Sequence, residues 1–180
     1  FEVMVLELPY IFGTQAGRKP VWVLLVERLV AMKGLCFYTK GGTAMVTVRQ
    51  VGQAVAGALE RGRGGSCYPV GWFNLEWRQM LEIVNTHMGR PGMPIITLPN
   101  FLFVLYAKKE ARKYRGRGVE SGLDLARLVD IQTAKLFIKP DVIRDELGVT
   151  SDDIDAAIGE SVALSLEAIA GRKLLEMKAE

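Results

Sequence analysis

Residues 3–13 read Val-Met-Val-Leu-Glu-Leu-Pro-Tyr-Ile-Phe-Gly, an apolar, β-rich run broken by Pro9 and stopped by Gly13. Val3, Val5, Leu6 and Leu8 make residues 2–8 nearly continuous in apolarity. That is the pattern of a strand covered on both faces, as in a parallel sheet, and it points to a layered α/β fold. Proline has no N–H to give to a sheet ladder, so the strand is expected to end at Pro9. The run also opens directly at Phe1, whereas natural termini are usually polar and frayed. The expectation is therefore of a fragment that begins inside a larger fold.

The rest of the chain alternates helical and strand-like patterns. Residues 13–20 are a loop by composition, and Pro20 suits the first turn of a helix over 21–33 closed by Gly34. Short strands are expected at 35–38 and 44–48, flanking Gly41 and Gly42. From Arg49 the period becomes helical, with Val51, Ala54, Val55 and Ala58 on one face up to Arg61, before a glycine-rich break over 62–65. Residues 66–70 are strand-like. Asn74 is a candidate N-cap for a helix over 75–88 ending at Gly89, and residues 95–98 read as one more strand. Helical content over 100–114 turns basic, and Gly116, Gly118 and Gly122 mark a loop before a helical pattern at 123–129. Pro140 fits the start of a short helix stopped by Gly148. Thr150 with Asp153 resembles a capping box for a long helix bearing Ile154, Ile158, Val162, Leu166 and Ile169 and ending near Gly171.

With 180 residues and 49% hydrophobic content, the chain can bury a real core. Its 23 basic and 20 acidic residues give +3, a mixed balance that does not indicate nucleic acid or an anionic membrane. Cys36 and Cys67 form no Cys-x-x-Cys and there is one histidine, so no zinc-ligand set can be assembled. Both cysteines are expected as buried thiols, which favours a reducing cytoplasm. The apolar start carries Glu2 and Glu7 with no basic region before it, unlike a signal peptide. The longest charge-free stretch, about 91–107, holds Pro94, Thr97, Pro99 and Asn100 and falls short of the roughly 20 apolar residues that a spanning helix needs.

The ordered succession of strand-Pro-x-x-Phe-Gly, loop, helix, strand, Gly-Gly, strand, Val-x-x-Val helix, Gly-Gly-x-x-Tyr-x-Val-Gly and helix resembles the C-terminal half of the NAD-dependent epimerase/dehydratase family, the extended short-chain dehydrogenases, over about residues 2–90. The resemblance implies the C-terminal part of a Rossmann-like doubly wound sheet over 1–99 and a mainly helical substrate-binding lobe over 100–180. By matching position it places Pro9, Tyr10, Ile11 and Phe12 on the wall facing the nicotinamide of NAD or NADP. Gly13 would then open a substrate loop containing Arg18 and Lys19. Ligands of doubly wound sheets do sit at strand C-terminal ends, although Pro9 and Gly13 also read as a plain strand-ending turn. In the second matched stretch, residues 43–51, Thr43 stands where the family's diphosphate-gripping arginine would be, which removes a bidentate phosphate contact. Met45 and Thr47 on this strand either touch substrate or pack in the core.

Two motifs of that family are missing. No Gly-x-x-Gly-x-x-Gly is available to bring backbone against a pyrophosphate at a helix N-terminus, and no tyrosine has lysine four residues on to tune it as an acid/base. No catalytic residue is assigned, and the chain is not expected to turn over substrate alone. His87 in a last helical turn suits the helix dipole, as Asp152, Asp153 and Asp155 suit a helix start. The basic segment 108–117, after the apolar 101–106, reads as a solvated helix or lid, with phosphate, membrane-surface or partner docking as alternatives.

The leading reading is thus the substrate-binding portion of an NAD(P)-dependent enzyme for a small hydroxy or keto compound. Its rivals are a non-catalytic module of the same fold and, third, a membrane-surface module using 100–117. A strand at 2–8 without its sheet neighbours is expected to seek a homodimer partner or the missing N-terminal half.

Overall fold

A computed structural model describes residues 2–14, 18–102, 104–105, 112 and 125–171. Its architecture is mixed α/β, organised around one strand with no solvent-facing side. Strand β4, Gly42–Thr47, is buried at all six positions. Side chains alternate along a strand, so Met45 enters one core with Phe12, Leu29, Trp77 and Ile158. Val46 enters a second core with Ala54, Tyr68, Val70 and Leu147.

The long apolar run at the start divides into two strands. β1, Val5–Glu7, pairs in parallel with β5, Cys67–Pro69, while β2, Tyr10–Phe12, pairs in parallel with β4. Pro9 ends β1 as expected, but the residues after it form a strand of a different sheet rather than a simple turn. β1 is also not covered on both faces. Met4 and Leu6 pack on the second core, while Val3 and Val5 stay 56% and 50% exposed. Cys36 is buried, but Cys67 is exposed, because its register opposite Val5 sets it on that same open face.

Four further strands complete the sheets among the described residues. β6, Phe73–Glu76, runs antiparallel to β4, and β8, Lys135–Leu136, pairs in parallel with it. β3, Cys36–Thr39, pairs in parallel with β7, Ile95–Leu98, residue for residue from Cys36 opposite Ile95.

Helix α1, Val23–Ala31, starts later than Pro20 suggests because Trp22 is drawn onto β2. Its ring stacks on Phe12 at 4.2 Å and its indole N–H donates to the Ile11 carbonyl at 2.8 Å. α2, Val48–Arg61, opens on a full capping box between Thr47 and Gln50. α3, Trp77–His87, is capped by Glu76 and Gln79 instead of Asn74. Asn74 continues β6, where its side-chain amide accepts from the Ile138 N–H and donates to the Ile138 carbonyl, both at 3.0 Å.

α4 spans Leu125–Thr133 and α5 spans Asp141–Asp145, the latter following Pro140 and preceding a left-handed Gly148 at φ +66°. α6, Ile154–Ile169, begins at an Asp153 cap rather than at Thr150. Thr150 is held instead by Gln50 and Gln53, whose amides bind its backbone and hydroxyl. The inward face of α6 is Ile158 and Val162 with the small Ala157, Ser161 and Ser165, and Ile169 lies 38% exposed. The basic segment 108–117, except Arg112, falls outside the described residues. Among the described residues no helix is long and apolar enough to cross a membrane.

Two glycines of α2 differ in what surrounds them. A Cβ on Gly57 would collide with the Leu147 carbonyl, whereas one on Gly52 meets nothing within 4 Å. Gly57→Ala should lower stability by about 1–3 kcal/mol, and Gly52→Ala should raise it by up to about 1 kcal/mol. Urea unfolding of the two variants checks both signs.

Candidate functional site

β2 and β4 end side by side, with Phe12 opposite Thr47. Beyond Phe12 the chain turns at Gly13, whose φ of +117° favours glycine and whose Cβ would press to 3.1 Å from Val48 Cγ2. Beyond Thr47 the chain enters α2. The start of α6 forms the facing wall, and between them lies a cleft of about 470 Å³. It sits at the C-terminal ends of two parallel strands, where α/β sheets bind ligands.

Two fasteners hold the wall in place. The Gly13 N–H donates to Ser161 Oγ at 2.8 Å, and the same hydroxyl lies 3.0 Å from both the Gly13 and the Ala157 carbonyl oxygens. The Thr47 hydroxyl donates to Asp152 Oδ2 at 2.6 Å, and Arg49 Nη1 lies 3.7 Å from Asp152 Oδ1. The Thr47 hydrogen bond, ahead of the backbone N–H of Asp153 and the Arg49 charge, holds the Asp152 carboxyl below its ordinary range against the opposing effect of burial. Asp153 caps α6, and Glu160, two turns further on, completes the acidic side of the cleft.

Of the residues singled out in the sequence, Phe12, Gly13 and Thr47 meet at this cleft. Pro9 lies half-buried between β1 and β2, and Ile11 packs on the second core. Tyr10 turns toward the first core, edge-on to Trp77 at 5.3 Å, and its hydroxyl accepts from Gln132 Nε2 at 3.0 Å. Nearby Tyr38 is edge-on to the same Trp77, and burial, reinforced by Tyr10, pushes its phenol up to about 12. Met45 has no exposed surface. Arg18 and Lys19 are exposed and do not line the cleft. Thr43 is buried on β4 between Leu75 and Leu136.

Sequence reasoning did not find Asp152, Arg49, Glu160 or Ser161 as members of a site. Asp152 is 105 residues from Thr47 and Ser161 is 148 from Gly13, so no local pattern joins them. His87 stands apart from the cleft, 2.9 Å from Asp155 Oδ1 across the α3–α6 contact. Among the described residues no group of three His, Cys, Asp or Glu side chains could hold a metal ion.

The residues present do not fit a dinucleotide pyrophosphate: the turn from β4 into α2 carries no glycine to let backbone approach one, and the Thr47, Gln50 and Ala156 N–H groups at the helix starts are held by the Gln50, Thr47 and Asp153 side chains.

No protein-family model matches the chain, and no curated protein matches it by sequence. Solved structures do match. A protein described as gox2253 superposes with a TM-score of 0.66 at 20% identity, over 96% of this chain and 50% of its own. A nucleoside-diphosphate-sugar epimerase from Pseudomonas aeruginosa gives 0.59 at 17% identity, over 93% and 49%. The Bordetella bronchiseptica enzyme WbmG, solved with NAD and UDP, gives 0.56 at 14% identity, over 99% and 48%. The chain shares their Rossmann-like α/β fold. It spans about half the length of each.

The Asp152 fastener has a pH signature. A carboxyl whose folded pKa is depressed stabilises the fold above its unfolded value of about 3.9 and loses that contribution as pH falls through the folded value. Asp152→Asn should therefore cost roughly 1.5 kcal/mol near neutral pH, the scale of a hydrogen bond to a charged group. The difference from wild type should narrow as the pH falls below the ordinary carboxylate range and through the depressed folded value. Urea unfolding across that range tests it, and a gap that stays constant with pH would count against the assignment.

Proposed function

We propose that this chain is the substrate-binding, C-terminal portion of an NAD(P)-dependent epimerase/dehydratase or oxidoreductase acting on a small hydroxy or keto compound. The observation that carries this reading is the unfinished side of β1. Its odd-numbered residues bond to the β5 segment: Val5 N–H to the Ser66 carbonyl, the Gly65 N–H to the Val3 carbonyl, and the Val70 N–H to the Glu7 carbonyl. In a parallel ladder the even residues Met4, Leu6 and Leu8 then turn their backbone groups to the opposite edge. Among the described residues no strand pairs with that edge. The open edge, the exposed Val3 and Val5, and the double length of the matched chains all favour a further α/β half beside β1.

In this reading that half brings the glycine-rich cradle, the nicotinamide cofactor and the Tyr-x-x-x-Lys pair. The cofactor supplies the hydride chemistry when bound. Residues 1–99 contribute strands and the loop at Gly13, and 100–180 contribute the lobe that closes on substrate. Pro9, Tyr10, Ile11 and Phe12 form the wall toward the cofactor. Gly13, Arg18, Lys19 and Thr47 belong to the substrate side, with Phe12, Gly13 and Thr47 at the cleft itself, while Met45 packs in the core behind them. The unpaired thiols Cys36 and Cys67 suit a cytoplasmic enzyme.

The test is the coding sequence upstream of Phe1. A glycine-rich fingerprint and a Tyr-x-x-x-Lys should be encoded there. The joined protein should bind NAD(P)H and turn over substrate, while residues 1–180 alone do neither. Val5→Glu, on the open face, should weaken association of the two halves. A start codon at this point with no such motifs upstream would overturn the reading in favour of a non-catalytic module. Alone, the chain should cover β1 by self-association, giving twice 19.9 kDa by light scattering. A stable monomer would contradict it.

A further inference from the structure

Helix α2 has two faces, and the fold uses one of them. Gln50, Ala54, Gly57 and Ala58 point inward and are buried. The opposite side carries Val48, Gly52, Val55 and Leu59, spaced four, three and four residues apart, the interval at which a helix presents one straight seam to another helix. Val48, Val55 and Leu59 are 43%, 44% and 77% exposed, and the seam runs for about 17 Å.

The outward face of α3 is by contrast that of a solvated helix. Its exposed residues are Arg78, Gln79, Glu82, Thr86 and His87, all polar, with Arg78 paired to Glu82 at 3.0 Å. Gly52 sets α2 further apart, because glycine weakens a helix interior. Gly57 is explained by the Leu147 carbonyl that a Cβ would strike, whereas a Cβ on Gly52 would meet nothing within 4 Å. Among the described residues the gap at Gly52 serves no contact, and it has the form of a hole that receives a knob from a facing helix.

The charges beside the seam decide which helix fits. Arg49 and Glu60 are both exposed, and their spacing of eleven residues sets them within about 20° of each other around the axis, on one flank. A second α2 laid parallel would bring Arg49 to Arg49 and Glu60 to Glu60, like against like. Laid antiparallel about a two-fold axis, it brings Arg49 beside Glu60, Val48 against Leu59 and Val55 into the gap at Gly52, each of them twice. Ala56, exposed on the same flank, is small enough to let the helices close to the usual separation of about 8–10 Å.

We propose that the outer face of α2 is a self-complementary interface that joins two copies of this chain through an antiparallel helix pair. The apolar seam, the glycine hole and both signs of charge are all met by the same surface turned over, which is the condition for a closed two-fold contact. The seam faces away from the core that α2 shares with Met4 and Leu6 of β1, so this interface is distinct from the open edge of that strand. Being short, it forms at higher protein concentration than the covering of β1.

Sedimentation velocity on the Val5→Glu protein, in which the β1 face is spoiled, isolates this contact. A concentration series up to about 1 mM should pass from monomer to dimer. The amide NMR signals of Gly52, Val55, Ala56 and Leu59 should move with it. Adding Leu59→Glu, an exposed change to a good helix former, should abolish the dimer and leave the urea midpoint of the dilute protein where it was. Adding Glu60→Arg instead should weaken the dimer about fivefold at low ionic strength, a difference that shrinks in about 0.5 M salt. A Val5→Glu protein that stays monomeric throughout would overturn the proposal. So would a dimer indifferent to Leu59→Glu or to Glu60→Arg. Loss, in Leu59→Glu, of binding to the half encoded upstream would overturn it too, because the face would then belong to that half. None of these failures bears on the two-half enzyme, and an upstream sequence without its motifs leaves this pairing as it stands.

Discussion

Everything in this chain is arranged about a strand that has no wet face. β4 has neighbours on both edges, β2 and β8 in parallel and β6 antiparallel, and its two faces lie in different cores. A strand in that position must be apolar or internally satisfied at every residue, and Gly42–Thr47 meets the condition with glycine, alanine, methionine, valine and two threonines. Gly42 is required by proximity: a Cβ there would meet the Leu75 carbonyl and the Glu76 backbone. The close approach of β6 thus depends on an absent side chain.

The cleft inherits its rigidity from this arrangement. Thr47 is the last residue of β4, the cap of α2 and the donor to Asp152, so one side chain joins sheet, helix and the opposite wall. Gly13 has a comparable role at the end of β2, where both of its backbone groups face the Ser161 hydroxyl. A hydroxyl has one proton for the Gly13 and Ala157 carbonyls. The bond to the Gly13 N–H is therefore the constant element of that contact, and the proton is divided between loop and helix.

Much of the fold was legible because it is written in local patterns. The helical spacing after Arg49, the glycine-rich break at 62–65 and the strand at 95–98 all depend on neighbours within a few residues. The misplaced starts share a cause. Asn74, Thr150 and the residues after Pro20 carry good local helix signals, but each is claimed by a distant partner, Ile138, Gln53 or β2. Tertiary competition of this kind leaves no trace in a short window. The acidic side of the cleft was hidden for the same reason. Asp152 and Asp153 look like charges favouring a helix dipole, and Asp153 is one, while its neighbour is turned away toward a strand end far off in sequence.

The open side of β1 also bears on how the chain survives in solution. A strand edge that no strand among the described residues pairs with, beside two half-exposed valines, is a template for any extended segment, wanted or not. Glu2 and Glu7 bracket that stretch, and Glu7 lies exposed on the strand itself. Negative charges at both ends of an apolar strand act as gatekeepers, because an unrelated strand in register would bury one or both of them unpaired. The edge that no strand among the described residues covers therefore carries its own filter, admitting a partner shaped to leave those carboxylates in water and discouraging indiscriminate stacking.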